Sequence, residues 1–171
     1  MTGKRPVPAG TEDRLGRRVA GRGQGRTSLP DEVLKQLKQP HLGVGVGQIW
    51  VIPTEYLNWK SVSSSRWCVL LALEDGVTGP PPVRAHFVVG STKPEFDNLV
   101  SVVDVPAGEG GLEERTLFAF KASSPVALSL LRVEGVFKGT LSSDWIDMMF
   151  AAITDSPHSS LITLRRLIRD A

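Results

Sequence analysis

The chain has 171 residues, 41% of them hydrophobic, enough for one domain with a real core and hardly for two. Its single cysteine, Cys68, excludes an internal disulfide and a cysteine-cluster metal site, and its longest apolar run falls far short of the ~20 residues that span a bilayer. The formal charge of +2 hides an asymmetry: residues 1–26 carry seven Lys or Arg against Glu12 and Asp13, whereas residues 46–158 carry eight basic and thirteen acidic groups. Any anion site in the body must therefore be local. A soluble, cytoplasmic protein without a membrane partner is expected, because Lys4 and Arg5 are followed by Pro, Gly and more Arg, not by the apolar core of a secretory signal.

Residues 1–27 are rich in Gly, Arg and Pro and hold too few large apolar groups to repay the entropy of ordering, so a disordered basic tail is expected. Over residues 28–39, Ser28 as cap, Pro30 and two acids in the first turn, and Val33, Leu34 and Leu37 at helical spacing predict a short helix ended before Pro40. The alternating glycines from Gly43 to Gly47 read as a flexible lead-in, which makes 28–45 a helix with its linker. Strand signals then dominate, at residues 47–53, 66–73, 83–90, 99–105, 116–121 and 126–133, all short and rich in β-branched or aromatic side chains. Asp75-Gly76 with Gly79 to Pro82, the glycines at 108–111, and Ser123-Ser124-Pro125 supply the turns. Short strands without intervening helices predict a mainly β, antiparallel barrel with short helices at both ends.

After Lys138-Gly139 the period changes. Ser142 or Ser143 serves as cap, Asp144 suits the helix dipole, and Ile146, Met149, Phe150 and Ile153 fall at i, i+3, i+4 and i+7. This terminal helix completes a barrel domain over 46–155, and a second helix over 159–169, with Leu161, Leu164 and Ile168 on one side, forms a helical extension over 156–171.

The candidate functional residues begin with Arg66, which stands between three serines and the most apolar run of the chain, Trp67 to Leu73. A guanidinium keeps its proton at ordinary pH, so it stays in water, pairs with an acid or meets an anion. Ser91-Thr92-Lys93 reads either as a polar turn or as a set of donors for an anion. His86 alternates with Arg84 and Val88, and reads either as an exposed strand histidine or as an acid or base near neutral pH. Tyr56 and Trp59, shortly before Arg66, either stack on unpaired bases or close the barrel end as a lid. Cys68 reads as a small core residue.

The order of these pieces resembles the MazF/PemK family of toxin-like endoribonucleases from type II toxin–antitoxin systems, over about residues 46–153. The resemblance is carried by Gly47-Gln48-Ile49-Trp50-Val51 as first strand and by Arg66-Trp67-Cys68-Val69-Leu70-Leu71 as second. Val88-Val89-Gly90-Ser91-Thr92-Lys93 matches the third strand, and Lys138-Gly139-Thr140-Leu141-Ser142 the approach to the terminal helix. It implies an SH3-like barrel, usually a homodimer, that cleaves single-stranded RNA without metal or cofactor and is neutralised by an antitoxin protein. Carried over, the catalytic pair is Arg66 with either Ser91 or Thr92. Beside that pair, the residues' own chemistry makes Tyr56, Trp59, His86 and Lys93 the candidate substrate-binding residues. Trp67 stands where the family has proline, and Gln48 where it has an acid. The alternative function is a degenerate, non-catalytic SH3-like barrel that binds protein or nucleic acid. Metal-free RNA cleavage needs a proton acceptor for the 2′-hydroxyl and donors for the charged phosphate. The sequence names the donors but no acceptor.

Overall fold

The run Trp67 to Leu73 is apolar without alternation because its strand is buried on both faces. Cys68 and Leu70 point into one core cluster with Trp50, Ile52, Phe87 and Val89, while Val69 and Leu71 point into another with Ile49, Val88, Phe118 and Phe120. Period-two geometry sends successive side chains to opposite faces, so both sets must be apolar. A register shift between Leu70 and Ala72 places Leu71 and Ala72 in the same cluster.

The computed structural model describes residues 30–31, 41–59, 63–93 and 101–171. The chain divides into the units Met1–Lys38 and Gln39–Ala171, and every element named below belongs to the second. The tail expected over 1–27 lies outside the described residues, as does the helix expected over 28–39 apart from Pro30 and Asp31.

Among the described residues seven strands form a mainly antiparallel, curled half-barrel: β1 (Gln48–Pro53), β2 (Ser65–Gly76), β3 (Gly79–Ser91), β4 (Val102–Val105), β5 (Thr116–Ala119), β6 (Ser124–Ala127) and β7 (Val136–Thr140). The order is β4-β5-β3-β2-β1-β7, with β6 laid against β3. Short helices gather towards the C-terminal end: α1 (Leu128–Glu134), α2 (Ser143–Asp155) and α3 (Ile162–Asp170). Among the described residues no helix is long and apolar enough to cross a membrane.

Several local expectations are corrected. The strand expected over 126–133 ends at Ala127, and LSLLRVE continues as α1, burying Leu128 and Leu131 one turn apart. Lys138-Gly139, expected only as the approach to the terminal helix, lies inside a further strand, β7, which pairs with β1. Gly139 is required there, since a Cβ on it would lie 2.6 Å from the Gly110 carbonyl oxygen. The turn expected around Gly79 to Pro82 is the start of β3, whose first residues remain paired with Asp75 and Gly76. The lead-in 43–47 is tied down. Val44 is buried, Gln48 Nε2 donates to the Gly43 carbonyl at 2.7 Å, and the Gly47 N–H donates to the Leu70 carbonyl at 2.7 Å.

At the start of α2, Ser142 holds the cap position without a side-chain bond. Its own N–H donates instead to the Glu109 carboxylate at 2.9 Å. At the other end Arg165 Nε donates to the Ile153 carbonyl at 3.0 Å, satisfying one of the acceptors a helix end leaves open. Leu161 and Leu164 are fully buried in the first core cluster, so the 156–171 extension is part of the packed body.

Candidate functional site

β2 begins at Ser65, opposite Pro53, and its second residue is Arg66. The β2–β3 ladder sets Cys68 against Val89, so the start of β2 lies beside the end of β3. Arg66 Nη2 donates to the Gly90 carbonyl at 3.1 Å. Arg66 is half-buried, and that burial lowers its pKa from the usual value, with Cys68 acting in the opposite direction. It stays a cation, because an arginine titrates too high to lose its proton in a protein.

β3 ends by pairing Gly90 with Phe118 and Ser91 with Leu117. Gly90 allows this approach: a Cβ there would lie 2.5 Å from Thr116 Cγ2. The register carries Glu114 and Thr116 to the strand end that bears Ser91 and Thr92. The result is a cavity of about 250 Å³ lined by residues from separate segments: Ser63, Ser65, Arg66 and Trp67, then Gly90 to Lys93, then Glu114 and Thr116.

Within it the two candidate hydroxyls differ. Ser91 is buried, and its Oγ accepts the Lys93 N–H at 3.1 Å, which closes the turn. Thr92 is exposed. Thr116 Oγ1 donates to the Glu114 carbonyl at 2.9 Å and so holds the backbone of the one carboxylate residue that lines the cavity among the described residues.

Four of the expected site residues therefore come together: Arg66, Ser91, Thr92 and Lys93. Trp59 is adjacent, its ring centroid 6.0 Å from the Arg66 guanidinium carbon. Its segment is anchored by Asn58, whose N–H donates to Ser124 Oγ at 2.7 Å. Tyr56 packs against the second core cluster and does not line the cavity; burial and then the charges of Glu55 and Glu134 raise its phenol pKa.

His86 is not part of this site, and the reading of an exposed strand histidine is corrected as well. Its ring is buried, opposite Pro125 of β6, with Nε2 2.8 Å from Glu74 Oε1. Arg84 also donates to Glu74, at 3.0 and 3.2 Å. These hydrogen bonds, Arg84's first, hold the Glu74 carboxyl down at about 2. Cys68 is fully buried as expected, and burial pushes its thiol far up. Among the described residues no group of three or more His, Cys, Asp or Glu is placed to hold a metal ion.

Glu114, Thr116 and Trp67 were missed as site residues. The Glu113-Glu114-Arg115 run before β5 was the available signal for a carboxylate, but nothing local connects it to Arg66. No family model and no curated protein matches this sequence.

Proposed function

We propose that the protein binds single-stranded RNA with one phosphate in the Arg66 cavity and cleaves it as a metal-independent, toxin-like endoribonuclease. The observation that carries this reading is the convergence of Arg66, Thr92, Lys93 and Glu114 on one small cavity. Arg66 offers paired N–H donors to phosphate oxygens, and Thr92 and Lys93 add a hydroxyl and an ammonium. Glu114 supplies the proton acceptor that metal-free cleavage requires.

In the reaction, the Glu114 carboxylate takes the 2′-hydroxyl proton and the 2′-oxygen attacks the adjacent phosphorus. Arg66 and Thr92 stabilise the charge that builds on the phosphate oxygens. The bond to the 5′-oxygen breaks, that oxygen takes a proton from water at the exposed rim, and the products carry a 2′,3′-cyclic phosphate and a 5′-hydroxyl. Ser91 shapes the turn that presents Thr92. In this reading the enzyme is a cytoplasmic homodimer, silenced by an antitoxin segment that covers the cavity.

The test is incubation of the purified chain with single-stranded RNA in EDTA. Cleavage with cyclic phosphate ends, lost in Arg66→Ala, supports the proposal. RNA binding without cleavage would replace it with the non-catalytic binding module.

A further inference from the structure

The cavity is small. At about 250 Å³ it falls below the ~300–1,000 Å³ of ordinary small-molecule sites, so it holds a phosphate and part of a sugar while the rest of a chain lies outside. Among the described residues two tryptophan–lysine pairs stand next to it. Lys121 Nζ lies 5.3 Å from the centroid of Trp59, the ring that also meets Arg66. Lys138 Nζ lies 5.1 Å from the centroid of Trp67, which itself lines the cavity.

The pairs serve different faces of the sheet. Arg66 and Trp67 are neighbours on β2, so their side chains leave in opposite directions. Trp59 packs against the second core cluster and Trp67 against the first. Each pair combines the two groups that hold single-stranded nucleic acid, a flat aromatic surface for a base and a cation for a phosphate. Lys138 also faces Glu113 at 3.8 Å, but Glu113 is 73% exposed, and a phosphate can replace so loose a partner.

We infer that Trp59 with Lys121 and Trp67 with Lys138 form two flanking nucleotide sites, so that single-stranded RNA crosses the end of the sheet from one face to the other through the Arg66 cavity. The inference rests on the RNA reading of that cavity. It extends the site to Trp67, Lys121 and Lys138, none of which the cleavage chemistry uses.

The test measures binding of the full chain to a 2′-O-methyl hexanucleotide, which lacks the attacking hydroxyl, and to the matching dinucleotide, by fluorescence anisotropy across a salt series. The wild type should bind the hexamer about tenfold tighter or more than the dinucleotide. Lys121→Ala and Lys138→Ala should each weaken hexamer binding about two- to fivefold and lower the salt slope by about 0.7, with dinucleotide binding unchanged. Lys121→Arg and Lys138→Arg should restore both. Equal affinity for the two lengths, or alanine variants that bind the hexamer like wild type, would overturn the track. Cleavage is read separately. Length-dependent binding by a chain that never cuts RNA refutes the nuclease and keeps the track, whereas cutting combined with indifferent lysine variants does the reverse.

Discussion

The Arg66 guanidinium is tied to the Gly90 carbonyl by a 3.1 Å hydrogen bond that joins the start of β2 to the end of β3. The bond fixes a half-buried cation beside Ser91, Thr92 and Lys93. Removing either partner should disturb the site in a way that can be told apart.

Arg66→Ala should lower RNA cleavage by about a hundred- to a thousandfold, the cost of losing one donor to a developing phosphate charge. Its stability should fall by about 1–2 kcal/mol, the scale of losing the hydrogen bond to Gly90. Arg66→Lys keeps the charge but not the paired donors and should stay well below wild type. Initial rates in EDTA and urea denaturation curves check both parts. A variant as active as wild type would remove Arg66 from the chemistry.

Gly90→Ala should be worse for the fold than Arg66→Ala. The added Cβ would meet Thr116 Cγ2 at 2.5 Å and Phe118 Cε1 at 2.9 Å, against the strand that brings Glu114 to the cavity. Overpacking of this kind costs about 1–3 kcal/mol. The urea midpoint should drop, and RNA affinity should fall with it because the carbonyl holding Arg66 is displaced.

Acid stability should depend in part on Glu74. Its carboxyl is lowered from 4.5 to about 2, first by the Arg84 hydrogen bond and then by His86. A carboxyl depressed on folding lends stability above its unfolded pKa and loses it as pH falls through the folded one. Wild type should therefore lose stability between about pH 4.5 and about pH 2, and Glu74→Gln should show a shallower loss over that window. Thermal melts across the range measure it. Cleavage near neutral pH should be unchanged in this variant, because neither Glu74 nor His86 lines the cavity.

The C-terminal helix should behave as core. Leu164 is fully buried, so Leu164→Ala should cost about 2–5 kcal/mol. Ile162, on the same helix but 68% exposed, should change stability by less than about 0.5 kcal/mol when replaced by Ala. Similar losses from both, measured by urea denaturation, would show that the helix does not pack as a core element.

The strands were legible where burial on both faces forces an unbroken apolar run, as from Trp67 to Leu73 and over the shorter Ile49 to Ile52. Residues 128–134 were not. A short, largely apolar run such as Leu128 to Val133 reads as a buried strand as well as a helical turn, and only the packing of Leu128 and Leu131 selects α1. β7 was hidden for the opposite reason. Val136 and Phe137 are exposed and Gly139 is a poor strand former, so the strand exists through its pairing with β1. His86 shows the same limit, since its alternation with Arg84 suggests a solvent face and the pairing with β6 buries it.

By itself the sequence determined the mainly β, antiparallel class, the buried Cys68, and the placement of Arg66 and Ser91-Thr92-Lys93 at strand ends. These follow from side-chain period, turn chemistry and the cost of burying a charge, all of which act over a few residues. Only the tertiary structure decided that Glu114, Thr116 and Trp67 share a cavity with Arg66, that the Trp59 ring meets the Arg66 guanidinium, and that His86 lies elsewhere. Those outcomes depend on the register of β3 against β5 and β6, which joins residues tens of positions apart and leaves no local trace in the chain.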